Sequence, residues 1–289
     1  MAVVVDAHQH FWRIGAQEQA WRDARHEAIN SDFDPADLAE SLHEAGVQAT
    51  VLMQSVDEPA ENDRLQAYAE TTPFVAGVVG WLPLRDPKAA HAELSRTSIP
   101  RLCGVRCLVA DDPLEWLSSP DSLSLFRDLV ERGLAWDVVP INGAQIESVL
   151  RLAHELPDLK IVVDHLGRPP VEAGTWRTWA KHVQELSDCP GVAMKVSIGI
   201  DVLSNWDHWQ IDKLDRFVEW AMKCFGPNRL MMASNWPVVL LRTTYTQAWS
   251  DLSVSIRRCV SNDHDFDMIS GGTASHWYRL ARQLMPSVL

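Results

Sequence analysis

His8 and His10 stand two residues apart in Asp6-Ala7-His8-Gln9-His10-Phe11-Trp12, at the end of a short β-branched run that starts at Val3. Side chains alternate across a strand, so both imidazoles leave it on one face. Neutral imidazoles converging at a strand end suit a metal ion or the oxyanion of a reacting carbonyl. His165 follows Ile161–Val163 and precedes the loop Leu166-Gly167-Arg168-Pro169, and Asn235 follows Met231-Met232-Ala233-Ser234. Asp164, one residue before His165, is expected to point the opposite way and anchor the strand to its helix layer. Two cations interrupt apolar strands: Arg106 in Gly104-Val105-Arg106-Cys107 and Lys195 in Ala193-Met194-Lys195-Val196. A charge in a packed interior needs a partner. Each is therefore an internal ion-pair member, or a contact for substrate oxygens, for which the planar fork of Arg106 is well shaped. Gln54 and Asp137 stand near strand ends and offer further polar contacts. Trp12, Trp81 and Trp236 each follow a strand, as walls of a cleft or as packing beneath loops. The remaining histidines, among them His26, His91 and His154, fall in helices or loops without a partner, where surface or capping roles are expected.

These residues need elements to present them. Eight apolar runs recur along the chain: Val3–Ala7, Ala49–Gln54, Val75–Trp81, Leu102–Leu108, Leu134–Val139, Lys160–His165, Val192–Ser197 and Arg229–Ser234. Amphipathic stretches lie between and after them: Pro35–Ala45, Pro59–Glu70, Pro87–Arg96, Ser122–Arg132, Gly143–Glu155, Thr175–Ser187, Ile211–Phe225 and Thr243–Val260. Proline behind an acidic residue (Asp34, Glu58, Asp86) marks a helix start. Eight strands alternating with eight helices predict a single (β/α)8 TIM barrel in one domain over residues 1–289. Ser270–Thr273 reads as a turn feeding a last helix, Ala274–Leu280. In such a barrel the reacting groups gather at the carboxyl ends of the strands, where the residues named above fall.

Composition narrows the partners. Lys+Arg 26 against Asp+Glu 39 gives a net charge of −13 over 289 residues, which argues against a nucleic-acid backbone and an anionic membrane surface. Met1–Asp6 has no basic leader, and no apolar run reaches the roughly 18 residues of a membrane span. The five cysteines have no framework spacing, and on a strand Cys103 and Cys107 would lie about 13 Å apart, too far to share a metal. They read as thiols of a reducing cytoplasm. Thirteen tryptophans against three tyrosines point to cleft walls or to an interface, such as that of a homo-oligomer. Trp176, Trp179, Trp206, Trp209, Trp220, Trp249 and Trp277 fall in later helices and loops and are expected in the outer layer.

Taken in order, Asp-Ala-His-Gln-His-Phe-Trp (6–12), Val-Val-Gly-Trp-Leu (78–82), Cys-Gly-Val-Arg (103–106), Val-Asp-His-Leu-Gly-Arg-Pro (163–169), Lys-Val-Ser (195–197), Ala-Ser-Asn-Trp-Pro-Val (233–238) and Gly-Gly-Thr-Ala (271–274) form a set. It resembles the amidohydrolase-related metal-dependent hydrolases of TIM-barrel fold, and within them the sugar-lactonase branch of L-fuconolactonase- and L-rhamnonolactonase-like enzymes. The resemblance implies hydrolysis of a small cyclic ester. His8, His10 and His165 would surround the carbonyl, Arg106 and Lys195 would contact substrate oxygens, and Asn235 would complete the site. It also implies a divalent metal, zinc first, at His8, His10, His165 and Asn235, although related lactonases can work without one.

The sequence departs from the family where Gly-Ser-Asp-Trp-Pro is here Ala-Ser-Asn-Trp-Pro. Asn235 has no lone pair basic enough to deprotonate water. Its presence is consistent with an engineered trap, with a natural substitution in which another base or a metal acts, or with lost catalysis. Two rival functions follow: a metal-dependent decarboxylase of the same superfamily, and a catalytically silent barrel that only binds its ligand. Cys107 stands where many relatives carry His and Pro83 where Asp is common, which predicts a substrate less hydroxylated than an aldonolactone.

Overall fold

The computed structural model describes residues 3–171 and 175–280; of the domain expected over 1–289, residues 1–2, 172–174 and 281–289 lie outside the described part. Eight strands run parallel in one sheet in chain order: β1 (Val5–Gln9), β2 (Ala49–Met53), β3 (Val75–Trp81), β4 (Leu102–Arg106), β5 (Ala135–Val138), β6 (Ile161–Val163), β7 (Val192–Val196) and β8 (Leu230–Met232). The last strand meets the first beyond its own end. Asn235 N donates to His8 O at 2.9 Å, and His10 N donates to Trp236 O at 2.8 Å. The result is the expected (β/α)8 TIM barrel, with its seam closed at the mouth.

The helices in chain order are α1 (Pro35–Ala45), α2 (Pro59–Thr71), α3 (Pro87–Arg96), α4 (Pro120–Arg132), α5 (Gly143–Glu155), α6 (Trp176–Ser187), α7 (Ile200–Asn205), α8 (Asp215–Phe225), α9 (Tyr245–Cys259), α10 (Asp263–Asp267) and α11 (Thr273–Trp277). Proline opens α1, α2 and α3 behind Asp34, Glu58 and Asp86, as the start signals predict. Helix α4 begins two residues before the expected Ser122, because Ser119 caps it and Pro120 takes its first turn. Ile211–Leu214 is a 3-10 turn leading into α8 rather than part of that helix. The tail differs too: Met268–Gly272 is π-helical, and the last helix stops at Trp277.

Two apolar layers result. The larger lies between sheet and helices. The smaller fills the barrel with Val5, Ala7, Val51, Val79, Ala135, Val162, Ala193 and Met231, and Trp277, Tyr278 and Leu280 join it from the C-terminal segment. Trp277 therefore belongs to the inner cluster rather than the outer layer expected of it. Trp176, Trp179 and Trp220 do sit outside, where Trp176 meets Trp179, Phe217 and Trp220 ring to ring between α6 and α8. All five cysteines are free, as expected. Among the described residues no helix is long and apolar enough to cross a membrane.

Candidate active site

Strand β1 delivers its histidines through an irregularity. Its pairing with β2 shifts register between Asp6 and Gln9, so Ala7 and His8 both turn inward where strict alternation would separate them. Asp6 faces out and ties the seam. Its carboxylate accepts from Ser234 N at 2.9 Å, Ser234 Oγ at 2.5 Å and Tyr245 OH at 3.2 Å. His8 Nε2 lies 3.0 Å from His10 Nε2, and His10 Nδ1 lies 3.0 Å from Met53 O. Because a carbonyl only accepts, His10 carries its proton on Nδ1 and presents a lone pair at Nε2. His8 then donates Nε2–H to it, and His8 Nδ1 accepts from Lys195 Nζ at 3.3 Å.

Asp164 corrects its expectation. Val162 faces the barrel interior, so two residues on, Asp164 does as well. Its Oδ1 lies 3.0 Å from Lys195 Nζ and 3.3 Å from His8 Nδ1, and its Oδ2 lies 3.1 Å from Arg106 Nη1. His165, which alternation would aim outward, reaches the mouth because the chain turns left-handed there. His165, Leu166 and Arg168 have φ of 54°, 52° and 56°. Such backbone costs on the order of 1 kcal/mol or more per non-glycine residue and persists only where its surroundings fix it. Here Trp179 Nε1 donates to Leu166 O at 2.9 Å, Gly167 N donates to Asp164 O at 3.1 Å, and His165 Nδ1 sits 2.8 Å from Ser197 Oγ. Asn235 is left-handed as well, at φ 56°. Its Nδ2 donates to Ile198 O at 2.8 Å, which leaves Oδ1 as the free end of the side chain.

A cavity of about 410 Å³ opens over this cluster, lined by His10, Arg106, His165 and Asn235 and walled by Trp12 and Trp21. Several expected contacts lie beneath or beside it instead. Lys195 is fully buried, held by Asp137 Oδ2 at 2.6 Å, and Tyr278 OH donates to the same carboxylate oxygen at 2.6 Å. Lys195 and Asp137 thus form the internal ion pair that the sequence left as one of two options. Gln54 accepts from Arg106 Nε at 2.8 Å and fixes the guanidinium rather than facing the cavity. Of the three tryptophans only Trp12 is a wall. Trp236 packs edge-on to Phe11 and Phe33, while Trp81 is pinned through its backbone to Asn62. Cys107 lines the cavity but Pro83 does not. Three of the other histidines do have partners: His26 is buried 2.9 Å from Ser204 Oγ, His91 pairs with Asp128, and His154 lies 3.6 Å from Cys189 Sγ. The capping role does hold for His26, which closes a capping box with Asp23. Ser197, Met53 O and Tyr278 were not singled out by the sequence as supports of the site.

Burial sets the charge states. It drives His8 and His10 well below the ordinary imidazole value, and His165 down to about 4 with Arg106 adding to the effect, so all three are neutral at pH 7. Asp164 is pushed up by burial, but Lys195, His8 and Arg106 outweigh that and hold it well below the usual carboxylate range. Burial raises Asp6 and Asp137 each to about 6. These shifts predict a pH dependence of stability. Unfolding lets three histidines take up protons below about 6.5, so stability is present above that value and lost as pH falls. Asp6 and Asp137 oppose this below about pH 6, because the folded state holds their protons more tightly. One net proton remains, or about 1.4 kcal/mol per pH unit between about pH 6 and 4. Urea midpoints measured across that range should fall on acidification; a flat or rising profile would contradict the neutral cluster.

The donor set fits a divalent cation of the zinc class. Each imidazole has its Nδ1 engaged from behind, His8 by Asp164, His10 by Met53 O and His165 by Ser197, the arrangement that orients metal-bound histidines. For His8 to bind a cation through Nε2, its proton would move from Nε2 to Nδ1, where Asp164 accepts it. Two nitrogens 3.0 Å apart can both reach one ion at about 2.0–2.1 Å. His8, Asp164 and His165 also offer ligand atoms all within 4.8 Å of one another.

A profile described as amidohydrolase matches residues 5–280. The chain belongs to the amidohydrolase family. This amidohydrolase is 30% identical to L-fucono-1,5-lactonase of Burkholderia ambifaria over 98% of this chain and 97% of the relative. It is 27% identical to the enzyme of the same name from Burkholderia multivorans, over 96% and 97% of the two chains. A crystal structure of a Burkholderia multivorans amidohydrolase with bound zinc superposes with a TM-score of 0.88 at 26% identity, covering 96% of this chain and 99% of that one.

Proposed function

We propose that this amidohydrolase opens a lactone by adding water to its carbonyl. The observation that carries the reading is the convergence of three buried, neutral imidazoles at one cavity, His10 and His165 lining it and His8 packed behind His10. The substrate carbonyl lies against the His8–His10 pair. A divalent cation, when bound there by His8 and His10, would draw charge from the carbonyl oxygen. Asn235 Oδ1 accepts one hydrogen of the attacking water and aims its oxygen, but an amide cannot take the proton. His165 takes it instead. At about 4 its basicity is close to that of an ordinary carboxylate. The new C–O bond forms, the ring C–O bond breaks, and the proton held on His165 goes to the leaving alkoxide, giving the free hydroxy acid. Arg106, steadied by Gln54 and Asp164, lines the cavity beside this group and offers its remaining N–H to a substrate oxygen.

The buried Lys195 acts on the reaction only through Asp164 and His8. Lys195→Met leaves two interior carboxylates, Asp137 and Asp164, without their shared cation and should destabilise the fold by about 3–5 kcal/mol. Urea unfolding measures this; a loss under about 1 kcal/mol would contradict the pairing. The function itself is tested with a panel of five- and six-membered lactones, scored by acid release in a pH-stat. Release above the uncatalysed rate that His165→Ala abolishes supports the reading, and no release from any lactone contradicts it.

A further inference from the structure

We infer that the lactone this cavity takes has an apolar body, an alkyl- or aryl-substituted ring, rather than the polyhydroxylated ring of a sugar lactone. The inference rests on the ring-opening reading above and names its substrate class. It starts from the walls. Above the histidines the cavity is bounded by Trp12, Trp21, Leu108, Ile141, Ile200 and Val238. Ile141 stands at 38% exposure, a large aliphatic side chain left in water. Such a residue in a cavity wall gains when an apolar ligand covers it.

The second observation is that most polar side chains in the wall already have partners. Ser55 Oγ donates to Glu61 Oε1 at 2.8 Å and accepts from Gln17 Nε2 at 3.0 Å. Arg168 Nε pairs with Asp201 Oδ2 at 3.1 Å. The Trp12 indole N–H donates to Ser31 O at 3.0 Å, and three of the Arg106 contacts go to Gln54 and Asp164. Burial keeps the Cys107 thiol protonated, pushed up to about 12, so it is a weak donor at best. The side-chain groups left free are the acceptors His165 Nε2 and Asn235 Oδ1 and the remaining Arg106 N–H at the histidine end, with the Trp21 indole N–H and the outer atoms of the Arg168–Asp201 pair elsewhere on the wall. That suffices for one carbonyl, at the Arg106 N–H, and one water, at the two acceptors. A ring carrying three or four hydroxyls would surrender their water without regaining as many side-chain hydrogen bonds, and unpaired buried hydroxyls are costly. An alkyl or aryl group loses nothing polar and covers apolar wall.

Binding separates this inference from the reaction it serves. Lactams keep the ring and the carbonyl but resist ring opening, so they serve as probes. Calorimetry on the intact protein compares a δ-lactam bearing a five-carbon alkyl chain with the polyhydroxylated δ-lactam of a six-carbon sugar. The alkyl lactam should bind about 100-fold or more tightly, since single methylenes in an apolar pocket already discriminate by about 10–200-fold. Ile141→Asn, a change at an exposed position, should cut that ratio about tenfold. Equal affinities, a preference for the hydroxylated ring, no binding of either lactam, or a ratio that Ile141→Asn leaves unchanged would each overturn the inference. Hydrolysis of the two corresponding lactones is followed in parallel. If the alkyl lactam binds with the expected preference while neither lactone opens, ring opening is the part that fails and the apolar recognition stands.

Discussion

Asn235→Asp should raise kcat/KM for a good lactone by about 10²-fold, the lower end of what general-base assistance contributes. The full range reaches about 10⁴-fold, but in the proposed mechanism His165 already accepts the proton, so the added carboxylate replaces a base rather than creating one. The gain should depend on pH in a stated direction. An aspartate here loses the hydrogen bond that Asn235 Nδ2 makes to Ile198 O and puts an oxygen against that carbonyl in a buried position. Both effects favour the neutral acid, so its pKa lies above the ordinary carboxyl value. The added rate therefore appears only as pH rises through that raised value. The parent, limited by His165, should keep its activity down to about pH 4. Initial rates of both proteins across pH 4–9 check this. No gain at any pH would remove position 235 from the water side of the site.

His165→Ala should lower kcat/KM by about 10²–10⁴-fold while leaving substrate affinity nearly unchanged, because the imidazole is asked to move a proton rather than to bind. In the Asn235→Asp background the same change should cost less, since the carboxylate then carries the proton. Residues sharing one role are non-additive. Zinc content resolves the second question about His165. If the cation is held by the His8–His10 pair, His165→Ala retains zinc and His10→Ala loses it. Loss of zinc from both variants would put His165 among the ligands and require another base.

The contrast between His8 and Asp164 shows how far the sequence carried. The His-x-His pattern at the end of a β-branched run was enough to place two imidazoles at a barrel mouth, and they lie 3.0 Å apart. Eight apolar runs separated by Pro-started amphipathic stretches were enough for the barrel, because both signals are local and strong. Asp164 was misdirected because alternation was counted backwards from His165, whose left-handed φ breaks the count. Counting forward from Ile161 and Val162 would have sent Asp164 inward. Nothing local betrays Tyr278, more than a hundred residues from the Asp137 it holds. Nor does anything distinguish Trp12, a wall, from Trp81 and Trp236, which fill space beneath loops. Each follows a strand, and only the packing of Phe11, Phe33 and Asn62 decides which of them faces the cavity.

The pattern of charges explains why the site tolerates two cations beside its histidines. Arg106 and Lys195 are balanced by Asp137 and Asp164 inside the barrel, so the imidazoles meet little net field and burial sets their protonation. The chain's overall charge of −13 lies elsewhere and has little bearing on the chemistry.

The most direct test of lactone hydrolysis is turnover of an alkyl-substituted δ-lactone by Asn235→Asp in ¹⁸O-labelled water, with products identified by mass spectrometry. The account predicts the ring-opened hydroxy acid, carrying one labelled oxygen in its carboxyl group. Failure to open any lactone, with carbon dioxide released from an aromatic acid instead or with tight binding and no product, would contradict it.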